Sequence, residues 1–79
     1  MSRDILSTGR FELKEQRDGE AGHHEFWVAE VQGKFVTIKF GKVGSRGYTA
    51  TREFDSADEA DRFVAYRLKT QIEKGYKRV

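Results

Sequence analysis

The chain has 79 residues, with 15 basic and 13 acidic side chains, ten aromatic rings and no cysteine. A domain of this size has one small core and a folding stability of roughly 3–5 kcal/mol. The missing thiols exclude disulfides and cysteine-based zinc sites. No apolar run reaches the roughly 18 residues of a membrane span, and the N-terminus lacks a signal-peptide stretch, so a cytoplasmic protein without a membrane partner is expected.

The net charge of +2 conceals an uneven distribution. Residues 1–31 carry four basic and seven acidic groups, whereas residues 32–52 carry Lys34, Lys39, Lys42, Arg46 and Arg52 and no acid. Residues 53–66 are acidic again, and residues 67–79 are basic. A polyanion would be drawn to the two basic blocks, unless these charges only solvate the surface.

Residues 1–9 show weak patterning and read as a loose lead-in to one domain over 10–79. Residues 10–16 alternate, with Phe11 and Leu13 on one face, which predicts a half-buried strand. Residues 17–24 form a polar, glycine-containing loop. Residues 25–31 predict a strand with Phe26 and Val28 on one side and Trp27, Ala29 and Val31 on the other. Gln32-Gly33 is read as a two-residue hairpin link to a partner strand over 34–40, where Val36, Ile38 and Phe40 share a face. Residues 41–47 are a glycine-punctuated turn, and 48–54 a further strand. Residues 56–74 predict a helix: Ser56 and Glu59 have capping-box spacing, Ala60, Phe63, Val64, Leu68 and Ile72 form an apolar stripe, and Gly75 ends it. The order implies an α+β fold, a four-stranded or slightly larger antiparallel sheet with one C-terminal helix packed on it.

The most informative segment is Phe40-Gly41-Lys42-Val43-Gly44-Ser45-Arg46-Gly47. It resembles the signature of the WGR family, in which Trp-Gly-Arg at a strand end is followed by an aliphatic residue, Gly, Ser or Thr, a variable residue and Gly. Phe40 and Lys42 replace the Trp and Arg. The resemblance extends to Phe26-Trp27 upstream, to Phe54-Asp55-Ser56 and to Lys74-Gly75-Tyr76 after the helix. It covers residues 10–79 and looks like a standalone member. Such domains occur in bacterial proteins similar to a molybdate metabolism regulator and as short standalone chains, for which the resemblance implies no particular role. In poly(ADP-ribose) polymerases they bind broken DNA ends. There the motif Trp packs against a terminal sugar and the Arg contacts neighbouring domains. Phe40 keeps a flat face but loses the indole N–H, and Lys42 keeps charge but loses the planar fork.

The candidate nucleic-acid-binding residues are Lys39, Phe40, Lys42, Arg46 and Arg52. Alternation allows two roles for Phe40, a stacking platform or, with Val36 and Ile38, a core residue, and favours the core. It also turns Lys39 away from Phe40. Gly41, Gly44 and Gly47 either form an anion-binding nest or permit the turn, and the turn is favoured. His23-His24 has metal-ligand types, but a surface loop is the expectation, and no metal or other cofactor is expected. Trp27 is expected to be buried. Tyr76, Lys77 and Arg78 read as a basic edge or as a frayed tail. No nucleophile with an oriented base can be assembled, so an enzyme is not expected. The expected function is a small nucleic-acid-binding module, DNA favoured at a duplex end or break. The competing expectation is a protein-interaction adaptor using a sheet edge or Trp27. No small-molecule substrate is evident.

Overall fold

The alternation of residues 25–40 is realised as the central hairpin of an antiparallel sheet. The computed structural model describes residues 5–15 and 23–79. It contains β1 (Leu6–Ser7), β2 (Phe11–Glu15), β3 (His23–Gln32), β4 (Phe35–Lys42), β5 (Tyr48–Glu53), α1 (Ala57–Lys74) and β6 (Lys77–Arg78). The strands lie in the order β5-β4-β3-β2-β6, and β1 pairs with β3 beside Val31 and Glu30. The α+β expectation of a four-stranded or slightly larger sheet holds in its larger form, with six strands among the described residues. The two extra strands have two residues each, too few for alternation to register. One of them, β1, arises within the expected lead-in; the other, β6, is the expected edge or tail. Most of the expected 17–24 loop lies outside the described residues, as do residues 1–4 and Gln16.

Register sorts the side chains. Trp27 stands opposite Phe11 and Phe40, Ala29 opposite Ile38, and Val31 opposite Val36. Directly opposed residues share a face, so these residues form one surface, which α1 covers. Trp27 is 1% exposed and packs edge-on against Phe11 at 6.3 Å between ring centroids. Phe11, Trp27, Ala29, Val31, Val36, Ala60, Val64 and Tyr76 form the core, with Leu13, Ile38, Phe54, Phe63 and Leu68 packed around it. Burying each large side chain contributes about 1.5–3 kcal/mol. The sheet's opposite, open face is turned away from α1.

The Ser56 hydroxyl accepts a hydrogen bond from the Glu59 amide at 3.2 Å, and Gly75 closes α1 in the left-handed conformation, as its sequence position predicts. The stripe, however, ends differently. Ile72 is 52% exposed, while Gln71 is buried. At 100° per residue, position 71 lies about 20° from Ala60 around the helix and position 72 about 120°. No helix among the described residues is long and apolar enough to cross a membrane.

Two expected boundaries move. The hairpin loop is Gly33-Lys34, with Gly33 at φ 61° in the first central position, as a type II′ turn requires. Strand β4 continues to Lys42 before the chain turns back. There the backbone folds tightly on itself. A Cβ on Gly41 would lie 2.6 Å from the Gly47 Cα, and one on Gly47 would meet the Phe40 carbonyl oxygen and lie 2.7 Å from Phe26 Cζ. Gly47 also has φ 70°, disfavoured for any L side chain. Backbone strain and overpacking therefore act together in Gly47→Ala, which is expected to lower stability by about 2–4 kcal/mol in urea unfolding. Gly44→Ala faces open space and should cost less.

Candidate nucleic-acid interface

The basic block at 32–52 does not act as one unit, because strand alternation and carboxylates divide it. Lys34 Nζ pairs with Glu53 at 2.9 Å and Lys39 Nζ with Glu30 at 3.0 Å, both at the surface. Lys39 also lies on the open face, opposite in facing to Phe40. Arg52 lies on the helix-covered face, but its guanidinium is spread over the rings of Phe54 and Phe63 at 4.7 and 5.5 Å. By register it sits opposite Val36, four positions along β4 from Phe40, roughly 13 Å away. Of the five candidates, Lys39 thus stands on the other face from Phe40, as alternation predicts, and Arg52 stands on the same face but well apart from Phe40 and Lys42. Lys42 and Arg46 are exposed, and among the described residues no carboxylate pairs with either.

Phe40 departs from the favoured core reading. It shares a face with Val36 and Ile38 as alternation demands, yet it is 43% exposed. Alternation fixes which side a residue takes, not how far the covering helix reaches. Beside Phe40 stands Tyr48, 71% exposed and directly opposite on β5, with ring centroids 5.7 Å apart and planes tilted by 33°. Tyr48 was absent from the candidates. Its facing was legible from β5 alternation, but its pairing with Phe40 needed the register.

The two rings edge a cleft of about 520 Å³ whose other walls are Glu25, Gly41, Lys42, Ser45 and Tyr76. Glu25 lies opposite Lys42 in register, and its Oε2 accepts a hydrogen bond from the buried Tyr76 hydroxyl at 3.2 Å. The Ser45 hydroxyl donates to the Lys42 carbonyl at 2.7 Å and braces the turn. Behind Phe40 and Tyr76 a second chamber of about 190 Å³ reaches between sheet and helix, lined also by Trp27, Ile38, Ala50, Arg67 and Gln71. The glycines of the turn adopt positive φ, in line with the turn reading.

The histidine pair belongs to strand β3 and not to a loop. On the open face His24 Nε2 and Glu12 Oε1 lie 2.7 Å apart, and the Arg10 guanidinium donates to Glu12 Oε2 at 2.7 Å while covering the Phe26 ring at 4.5 Å. Among the described residues no cluster of three metal-ligating side chains occurs. Lys77 and Arg78 pair with β2, and Tyr76 is buried, so this segment is not a frayed tail.

The Arg10 hydrogen bond, aided by His24 and opposed by desolvation, holds the Glu12 carboxyl below its ordinary range. A depressed carboxyl stabilises the fold above its unfolded titration range, and that contribution is lost as pH falls through the lowered midpoint. Arg10→Gln should raise the Glu12 midpoint towards the ordinary value in an NMR pH titration.

The WGR domain family profile matches residues 12–79. The chain is similar to the uncharacterised Escherichia coli protein YfeS, with 30% identity over 53 residues, 67% of this chain and 22% of that protein. It also resembles a Bacteroides fragilis protein of known crystal structure, with a TM-score of 0.71 and 27% identity over 89% of this chain and 19% of the other. The chain therefore spans about a fifth of each of these relatives. With the profile covering nearly its whole length, the chain belongs to the WGR domain family, a module of the nucleic-acid-binding type.

Proposed function

We propose that the corner formed by Phe40, Tyr48, Lys42 and Arg46 is a nucleic-acid interface, with a DNA end as the favoured ligand, and that the chain acts by binding rather than by turnover. The observation that carries this reading is the exposed Phe40–Tyr48 pair on a cleft also lined by Lys42, with Arg46 exposed in the adjoining turn. Stacking uses the flat faces that Phe40 and Tyr48 offer, and Lys42 and Arg46 supply attraction for the backbone. A duplex end suits this corner because its last base pair has a free face. The non-catalytic part rests on the chemistry available: there is no cysteine, and His24 is engaged by Glu12 on the open face, away from the cleft.

A protein-adaptor reading has one observation in its favour. Strand β5 is exposed along its whole length and forms an edge of the sheet, where a partner strand could add. Its flank carries Thr49 and Thr51, small polar residues that leave the edge open. Trp27, the other anchor considered for a partner, is buried and unavailable.

Fluorescence anisotropy with a labelled blunt duplex separates the contributions. Two cation–phosphate contacts predict that the logarithm of affinity falls with the logarithm of salt with a slope of about −2. Lys42→Glu combined with Arg46→Glu should abolish binding. Phe40→Ala should weaken binding about 5- to 150-fold and leave the salt slope unchanged, as the loss of one stacked base requires. Unchanged affinity in the double variant would refute this site.

A further inference from the structure

The cleft beside Phe40 and Tyr48 holds one group that a surface for a polyanion does not call for, the Glu25 carboxylate. Register places it. Glu25 stands directly opposite Lys42, two positions along β3 from Trp27, which stands opposite Phe40. It therefore projects from the same face as the Phe40–Tyr48 pair, diagonal to Phe40 at about 7–8 Å. It is half-buried and forms part of the cleft wall. A negative charge at this place repels phosphate and weakens the corner for every nucleic acid, unless the ligand brings a hydrogen-bond donor to it.

The carboxylate is held in position. Its Oε2 accepts the hydrogen bond from the Tyr76 hydroxyl. Tyr76 is buried and tied to the end of α1, where its amide donates to the Gln71 carbonyl at 3.0 Å. Lys42 is opposite in register, yet among the described residues no ion pair engages Glu25. An ionised carboxylate offers about four acceptor sites, of which the tyrosine takes one. Free acceptor capacity beside two exposed rings suits a flat ligand that carries donors along one edge.

Nucleobases differ in that edge. Guanine presents two adjacent donors, N1–H and the N2 amino group, which match the two oxygens of one carboxylate. Adenine and cytosine present one amino group beside a ring-nitrogen acceptor. Thymine and uracil present one N–H between two carbonyl oxygens. Each of these four turns an acceptor lone pair towards the carboxylate, which repels it. The cleft volume of about 520 Å³ falls in the range of small-ligand sites.

We propose that Glu25 makes this cleft selective for an unpaired guanine, stacked on Phe40 and Tyr48, with N1–H and the N2 amino group donating to the carboxylate. Tyr76 is the positioning residue that aims it, and Lys42 remains for the phosphate. The proposal rests on the nucleic-acid reading of the same corner and narrows its ligand to an end or strand with a free guanine. A free guanine nucleotide offers the same chemistry, and the two sources separate by experiment.

The test uses the full chain and a hairpin duplex that is blunt or carries a one-nucleotide dG, dA, dC or dT overhang, followed by fluorescence anisotropy. Guanosine and adenosine monophosphate are titrated separately and followed by the amide shifts of residues 40–48. The expected result is about tenfold tighter binding of the dG overhang than of the other three, as one bidentate base contact supplies. Glu25→Gln keeps the size of the side chain but sets an amide N–H₂ against one guanine donor, so the dG-to-dA affinity ratio should fall to about one. Tyr76→Phe should lower the same ratio. An equal loss for all overhangs in that variant would overturn the positioning role. Discrimination between the monophosphates without an overhang preference supports the reading of guanine and assigns it to the free nucleotide. Binding of all hairpins alike, with no discrimination between the monophosphates, would overturn the guanine reading and leave the interface standing. Retention of the full dG preference in Glu25→Gln would also overturn it. Absence of any response to the hairpins and to both monophosphates would overturn both proposals.

Discussion

The close passage of the backbone at Gly41 and Gly47 is the constraint on which the surface depends. With no Cβ on either residue, the chain after β4 folds back against the end of that strand and over the Phe26 ring. This buries Phe26 on the face that α1 does not cover and leads the chain back along the edge of β4. The same return sets Tyr48 opposite Phe40, with Lys42 at the end of β4 and Arg46 exposed in the turn that follows. Side chains at either glycine would push the two backbone segments apart, and the aromatic pair and the cations would lose their common corner.

Charge is sorted by the same geometry. Five cations without an intervening acid look like one patch in the sequence. In the folded sheet Lys34 and Lys39 have carboxylate partners, and Arg52 lies over Phe54 and Phe63. Exposed ion pairs contribute little to stability, at most about 1 kcal/mol. They nevertheless cancel the field that an anionic ligand would feel at these lysines. Lys42 and Arg46 are left exposed, with no ion pair to either among the described residues.

Much of the fold was legible because each element carried several agreeing signals. The helix had a cap, a stripe and a terminating glycine. The hairpin had alternation on both sides of Gly33. Strands β1 and β6 carried none of these, and they form because β3 and β2 offer unpaired backbone to Leu6–Ser7 and Lys77–Arg78. The site was legible in part. Spacing located the turn and named Phe40, Lys42 and Arg46, but Tyr48 and Glu25 depend on long-range register. Gln71 was hidden for a different reason: a polar residue one step before an apolar one draws no notice until the helical phase is fixed. The WGR resemblance located the motif, but its substituted positions Phe40 and Lys42 needed the exposure and pairing found in the fold before a role could be assigned.

The central claim is that one accessible corner, comprising Phe40, Lys42, Arg46 and Tyr48, binds nucleic acid. The most direct measurement is a map of backbone amide shifts in the labelled chain on addition of a blunt duplex, a nicked duplex and a single strand at moderate salt. The account predicts perturbations concentrated in residues 40–48, largest with a substrate that has an end, and reversed by added salt. Shifts along β5 from Thr49 to Glu53 without involvement of the 41–47 turn, or no response to any of the three, would contradict it.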